Sequence, residues 1–188
     1  EYALGGAFFL WELATAVAGS RLGVNPFDQP DVESAKRLAR QALAEAKEHG
    51  AAVGSVAEPA TAMDLGALRE CVRPGDYVAL LAYLPPFAEV TARLQALRLA
   101  LRDCFRVATT LGFGPRYLHS TGQMHKGDRG NGVFVQFTAD PEHDVPIPDA
   151  AGGGATTVTF GQLEAAQAEG DRRALAQACL LYTSDAAD

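Results

Sequence analysis

Two continuous apolar runs constrain this chain more than any other feature. Tyr77–Leu84 reads YVALLAYL and Gly132–Thr138 reads GVFVQFT, and the first is bounded by Arg73-Pro74-Gly75-Asp76 and Pro85-Pro86. A strand with one wet face alternates polar and apolar residues, whereas a short run apolar throughout suits a strand covered on both faces, as in a parallel sheet. Helical patterns surround these runs at Gly5–Leu22, Asp31–Glu48, Met63–Cys71, Phe87–Leu111 and Phe160–Ala178. Strands alternating with helices of this length predict a layered α/β domain, its mostly parallel sheet flanked by helices.

The helices differ in what they ask of their surroundings. In Gly5–Leu22, residues Phe8, Phe9, Trp11, Leu13, Val17 and Leu22 cover more than half the surface, so burial on several sides is expected. Asp31–Glu48 carries one inner stripe of Val32, Leu38, Ala39, Ala42, Leu43 and Ala46 opposite Lys36, Arg37, Arg40, Glu45 and Lys47. Phe87–Leu111 repeats Val90, Leu94, Leu97, Leu101, Phe105 and Ala108 at helical spacing and is stopped by Gly112-Phe113-Gly114-Pro115. A short strand is expected near Val53–Val56, a polar loop after Pro115, and a proline- and glycine-rich loop over Pro141–Gly154.

Composition removes several function classes. With a net charge of -7 and no basic run, nucleic acid is not an expected partner. The longest apolar stretch, Ala3–Ala18, contains Glu12, is too short to span a bilayer, and lacks the flanks of a signal peptide. The expectation is therefore a cytoplasmic protein without membrane contact. Cys71, Cys104 and Cys179 have no metal-ligand spacing and are odd in number, which fits incidental thiols in a reducing compartment. The final residues, 180–188 (LLYTSDAAD), fit nothing before them and read as a non-native, adapter-derived tail.

Two segments can carry chemistry. The first, Asn25-Pro26-Phe27-Asp28-Gln29-Pro30-Asp31-Val32-Glu33-Ser34-Ala35-Lys36, delivers Gln29 beside a helix start with Lys36 less than two turns inside. Free backbone N–H groups, an amide and an ammonium together make an anion or sugar-hydroxyl site. The plainer alternative is a helix start with a solvated surface lysine. The second, Tyr117-Leu118-His119-Ser120-Thr121-Gly122-Gln123-Met124-His125-Lys126-Gly127, sets a histidine before hydroxyls and glycine. His119 can serve there as general acid or base, or be hydrogen-bonded for structure only. His119 and His125 without a carboxylate between them make a poor metal site, and no metal is expected. Lys126–Gly132 lacks Walker spacing and reads as a glycine-rich turn before the second strand.

Both segments resemble glucose-6-phosphate isomerases. Phe27, Asp28, Gln29, Val32, Glu33 and Lys36 match a signature of that family in register, with Asp31 where glycine is usual. His119-Ser120-Thr121-Gly122-Gln123 resembles the family's His-Ser-Leu-Gly-Gln segment. The resemblance implies a sugar-isomerase-type α/β domain over residues 1–179, incomplete as a fragment. It implies that Lys36 acts at the sugar ring oxygen during ring opening with His119 as partner, and that Gln29, Ser120, Thr121 and Gln123 bind substrate. Glucose 6-phosphate and fructose 6-phosphate are then the interconverted ligands, in glycolysis and gluconeogenesis, with no cofactor and a possible homodimer. The histidine segment normally precedes the lysine signature; here it follows, an order similar to the isomerase part of fused transaldolase–isomerase proteins.

Moving a proton between C1 and C2 needs a base, which in that family is a glutamate in a Glu-Ser-x-Gly-Lys type segment. No such segment occurs in the 188 residues, so the base is expected upstream of Glu1 and the 188 residues alone are expected to be inactive. Two rival readings are a sugar-phosphate-binding regulatory module of the same domain class, for which His119 is dispensable, and a structural or dimer-forming domain, for which Lys36 and His119 lie far apart.

Overall fold

A computed structural model describes residues 2–28, 30–49, 65–178 and 180–185. The expected strand near Val53–Val56 lies outside the described residues, as does Gln29. The sequence reading takes 1–179 as one domain; by internal contacts the chain forms two units, Glu1–Pro30 and Asp31–Asp188.

The first unit is helix α1 (Tyr2–Leu22) and the turn after it. Gly23, at φ 71°, ends the helix: its N–H donates to the Ser20 carbonyl and the Val24 N–H to the Gly19 carbonyl at 3.0 Å. This is the pairing that satisfies the last carbonyls of a helix through a left-handed glycine. The expectation of burial on several sides is corrected. Gly19 is the buried residue of α1, while Phe8 is 61% and Trp11 72% exposed. One helix and a turn offer no second apolar surface to cover such a face. The helix is also longer than the Ala3–Ala18 stretch. At 21 residues and mean hydropathy 1.3 in its best window, it meets the length and composition of a membrane span, as core helices of soluble assemblies also do.

The second unit follows the expected layers. Its elements are α2 (Pro30–His49), α3 (Leu65–Cys71), β1 (Tyr77–Tyr83), α4 (Ala88–Phe105), β2 (Ala108–Phe113), a 3-10 helix (Arg116–His119), α5 (Thr121–Gly127), β3 (Gly132–Thr138), β4 (Pro146–Pro148), β5 (Thr156–Thr159), α6 (Phe160–Ala178) and β6 (Leu180–Asp185). The main sheet has the order β2-β1-β3-β6, and every pairing in it is parallel. The two apolar runs are its adjacent central strands, β1 and β3, in register from Tyr77 opposite Gly132.

Period-two alternation sends successive side chains of β1 and β3 into two separate cores. Val78, Leu80, Val133 and Val135 pack with Leu68 of α3 and Leu101 of α4 on one face. Ala79, Leu81, Tyr83 and Phe134 pack with Tyr117, Ala168 and Leu175 on the other. The polar member of that second face, Gln136, is buried and donates from Nε2 to the Ala168 carbonyl at 3.1 Å. Helix α2 forms an outer layer on α6, through Ala35, Leu38 and Ala174. Arg173 of α6 also reaches Glu45 of α2 at 2.9 Å. Glu169 accepts from Arg172 and Arg173; burial works to raise its pKa, but the two guanidinium bonds outweigh that and hold it below the usual carboxylate value.

The sequence reading is corrected at three places. The long helix stops at Phe105 rather than Leu111, because Arg106 turns left-handed at φ 58°, its N–H on the Arg102 carbonyl at 2.8 Å. Residues 108–113 then lie along β1 as a strand, where β-branched Thr109 and Thr110 suit an extended backbone. The polar loop after Pro115 contains the 3-10 helix and α5. The proline- and glycine-rich loop contributes β4, which pairs antiparallel with β5; prolines are tolerated there because an edge strand leaves N–H positions unneeded. Residues 180–185, set aside as a tail, lie beside β3. That pairing is made by backbone groups, which any sequence supplies.

Gly170 of α6 packs directly against the backbone of Ala39 in α2. A Cβ placed there would sit 2.6 Å from the Ala39 nitrogen and 2.8 Å from its Cα, and backbone cannot swing aside as a side chain can. Gly170→Ala gains about 1 kcal/mol of helix propensity but incurs an overpacking cost of about 1–3 kcal/mol. A net loss is expected, read as a lower urea midpoint at unchanged slope. A midpoint above wild type would contradict the contact between α2 and α6.

Candidate functional site

The connection from the end of β2 to the start of β3 crosses the face of the sheet that carries α6, and it begins at the carboxyl end of a parallel strand, where α/β domains gather ligand-binding groups. Gly114 starts it with its N–H on the Ala82 carbonyl at 2.8 Å. A Cβ on Gly114 would lie 2.5 Å from the Tyr83 ring, so glycine permits this tight exit. The 3-10 helix then turns Tyr117 inward and leaves His119 exposed at its end.

A cavity of about 210 Å³ opens between this connection, α2 and α6. From α2 it receives Lys36 and Arg40 over an apolar wall that includes Ala39 and Leu43. The 3-10 helix contributes Leu118 and His119, α5 contributes Lys126, and α6 closes it with Leu163, Ala166 and Gln167. Lys36 and His119, far apart in the chain, thus line one cavity. Among the described residues lining it there are three permanent cations, a histidine and no carboxylate.

Lys36 is half exposed and its Nζ meets Glu33 Oε1 at 2.7 Å, one helical turn back. That hydrogen bond, then the lysine's charge, holds the Glu33 carboxyl below its usual pKa. Such an exposed pair contributes little to stability. The other described candidates, Ser120, Thr121 and Gln123, are not among the residues that line the cavity. Ser120 donates from Oγ to the Tyr117 carbonyl at 3.2 Å, and Thr121 is exposed at the start of α5. Gln123 is half-buried, and its Oε1 is buried without a hydrogen-bond partner among the described residues. Among those residues there is no group of three His, Cys, Asp or Glu side chains suited to a metal ion.

Beneath the cavity is a buried polar cluster that the sequence reading missed. Asp171 of α6 has no exposed surface and bonds two partners on the connection: the Lys126 ammonium and the Tyr117 hydroxyl. Lys126 also donates to the Gly122 carbonyl at 3.1 Å, and the Tyr117 and Tyr83 hydroxyls are hydrogen-bonded at 3.3 Å. Burial, then the charge of Asp171, pushes both tyrosine pKa values well up, so both remain hydroxyls near neutral pH. His125 is buried between Tyr77, Tyr117 and Phe134, and burial pushes its pKa down. A signal for the cluster was present: Ala168, Asp171 and Leu175 share the inward face of α6, and a carboxylate on an apolar stripe requires a buried partner.

No family model matches the chain. Among curated proteins, it is 61% identical over 36 residues to a glucose-6-phosphate isomerase of Heliobacterium modesticaldum, covering 19% of this chain and 8% of that one. It is 40% identical over 47 residues to a probable glucose-6-phosphate isomerase of Methanococcus maripaludis, covering 25% and 11%. The chain thus matches only about a tenth of the length of these relatives. Among solved structures, it is similar to a hypothetical protein of Thermus thermophilus at a TM-score of 0.49 and 18% identity, over 84% of this chain and 39% of the other. The fold assignment rests on the strand order and pairing, not on that likeness. Over a short stretch of sequence, this chain is related to glucose-6-phosphate isomerases.

Proposed function

We propose that the chain forms the ring-opening part of a glucose-6-phosphate isomerase site, of the type fused to a transaldolase. One observation carries the reading: Lys36 and His119, from two separate segments that each resemble the family, line the same cavity. The order of the two segments supports the fused subtype.

Ring opening breaks the bond between C1 and the ring oxygen while one proton leaves the C1 hydroxyl and another reaches the ring oxygen. Lys36 serves the ring oxygen and His119 the accompanying transfer. Gln29, Ser120, Thr121 and Gln123 position the sugar. The following C1–C2 proton transfer needs a carboxylate base. No carboxylate is among the described lining residues, and no Glu-Ser-x-Gly-Lys type segment occurs in the sequence; on this reading another part of the site supplies that base.

The test is interconversion of glucose 6-phosphate and fructose 6-phosphate by the full-length protein, followed in both directions. Turnover in both is expected. A protein that binds sugar phosphate without converting it would instead be a regulatory module, and the isomerase reading would be lost.

A further inference from the structure

We propose that Asp171 is a positioning residue for ring opening, clamping both ends of the segment that carries His119 onto α6. The assignment rests on the reading of the cavity as an isomerase site, and it adds a residue outside both family-like segments. Asp171 is fully buried, is ion-paired with the Lys126 ammonium and accepts a hydrogen bond from the Tyr117 hydroxyl. Tyr117 stands in the 3-10 helix and Lys126 near the end of α5. One carboxylate therefore grips the segment on either side of His119, Ser120, Thr121 and Gln123. The anchor belongs to the cavity's own wall: Leu163, Ala166 and Gln167 of α6 line it, and Asp171 follows Gln167 by one helical turn.

Among the described residues, no hydrogen bond or ion pair holds the His119 side chain, so its place at the cavity is set by the 3-10 backbone. Tyr117 fixes that backbone, its ring packed with Ala79, Leu81 and Phe134 and its hydroxyl on Asp171. Stability alone does not call for a charge at this point. Well-packed apolar side chains in place of a buried ion pair are often as stable or more so. What the carboxylate adds is direction: charge-assisted contacts to two elements fix how α6 meets the segment. A general acid or base depends on such placement, since a displacement of about 1 Å can cost about 10²-fold in rate.

The experiment compares the full-length protein as wild type, Tyr117→Phe and the double variant Lys126→Met/Asp171→Leu. Tyr117→Phe removes only the hydroxyl that Asp171 holds and keeps the ring in the core. The double variant removes both charges together, so neither is left buried alone. In each folded variant, kcat on cyclic glucose 6-phosphate is expected to fall about tenfold or more. The rate on an open-chain analogue should stay within about threefold, and the KM of Tyr117→Phe within about twofold, as for an interaction that acts in the transition state alone. Unchanged kcat on the cyclic substrate in either folded variant, or equal losses on both substrates, overturns the assignment and leaves the cluster a stabilising role only. If neither variant folds, NMR relaxation of the His119 ring in wild type decides: order like that of the sheet backbone supports the clamp, and free motion on the picosecond-to-nanosecond scale overturns it. If wild type has no isomerase turnover, that reading is lost and the same relaxation separates the two. A His119 ring looser in Tyr117→Phe than in wild type then keeps the clamp, and an unchanged one overturns it as well.

Discussion

Asp171→Ala is expected to destabilise the fold by about 3–5 kcal/mol, the cost of breaking a buried ion pair from one side. Asp171 is fully buried, ion-paired with the Lys126 ammonium and accepting a hydrogen bond from the Tyr117 hydroxyl. Truncation leaves the ammonium nearly buried without its counter-charge and the hydroxyl without its acceptor, and it opens a gap between α6 and the connection. Asp171→Asn keeps the shape and an acceptor for Tyr117, so its loss should be smaller. Adding Lys126→Met to Asp171→Ala should recover much of the loss, since the two charges then disappear together. Urea denaturation of the full-length proteins measures all three. A loss under about 1 kcal/mol for Asp171→Ala is the value of a surface pair and would contradict the burial described here.

His119→Asn is expected to leave the fold intact and lower kcat/KM on glucose 6-phosphate by about 10²–10⁴-fold, the usual contribution of a positioned general acid or base. The side chain is exposed at the end of the 3-10 helix, with Leu118 rather than the histidine packed against the core. Asparagine can replace a hydrogen bond but cannot exchange a proton at neutral pH. Lys36→Met should behave similarly, because its ion pair with Glu33 is exposed and contributes little to folding. Unfolding of either variant would mean that its side chain serves the structure.

The sheet was legible because its two central strands carry their own signature: seven-residue apolar runs need cover on both faces, and both faces are covered. Helix α6 was read to its observed ends, Phe160–Ala178. Strand β2 was not legible. Leu97, Leu101, Phe105 and Ala108 continue one helical period, and the left-handed turn at Arg106 has no glycine or asparagine to announce it. Helix α1 misled differently: its apolar face is real, but exposure depends on what else is present to cover it, which local sequence does not encode.

In the candidate site, the exposed residues were the readable ones. Lys36 and His119 belong to segments with recognisable family resemblance, and the fold brings both to one cavity. Lys126 and Asp171 stand apart in the chain and in no shared motif. Their pairing depends on packing α5 and the 3-10 helix onto α6, a long-range event visible only in three dimensions. The buried polar cluster therefore had to be found in the structure, although an aspartate on the inward stripe of α6 was a hint.

The most direct measurement is the rate of the full-length protein on cyclic sugar phosphate against an open-chain analogue, for wild type, Lys36→Met and His119→Asn. If these residues open the ring, each variant loses about 10²-fold or more on the cyclic substrate and far less on the open-chain one. Equal losses on both substrates would contradict the assignment of Lys36 and His119 to ring opening.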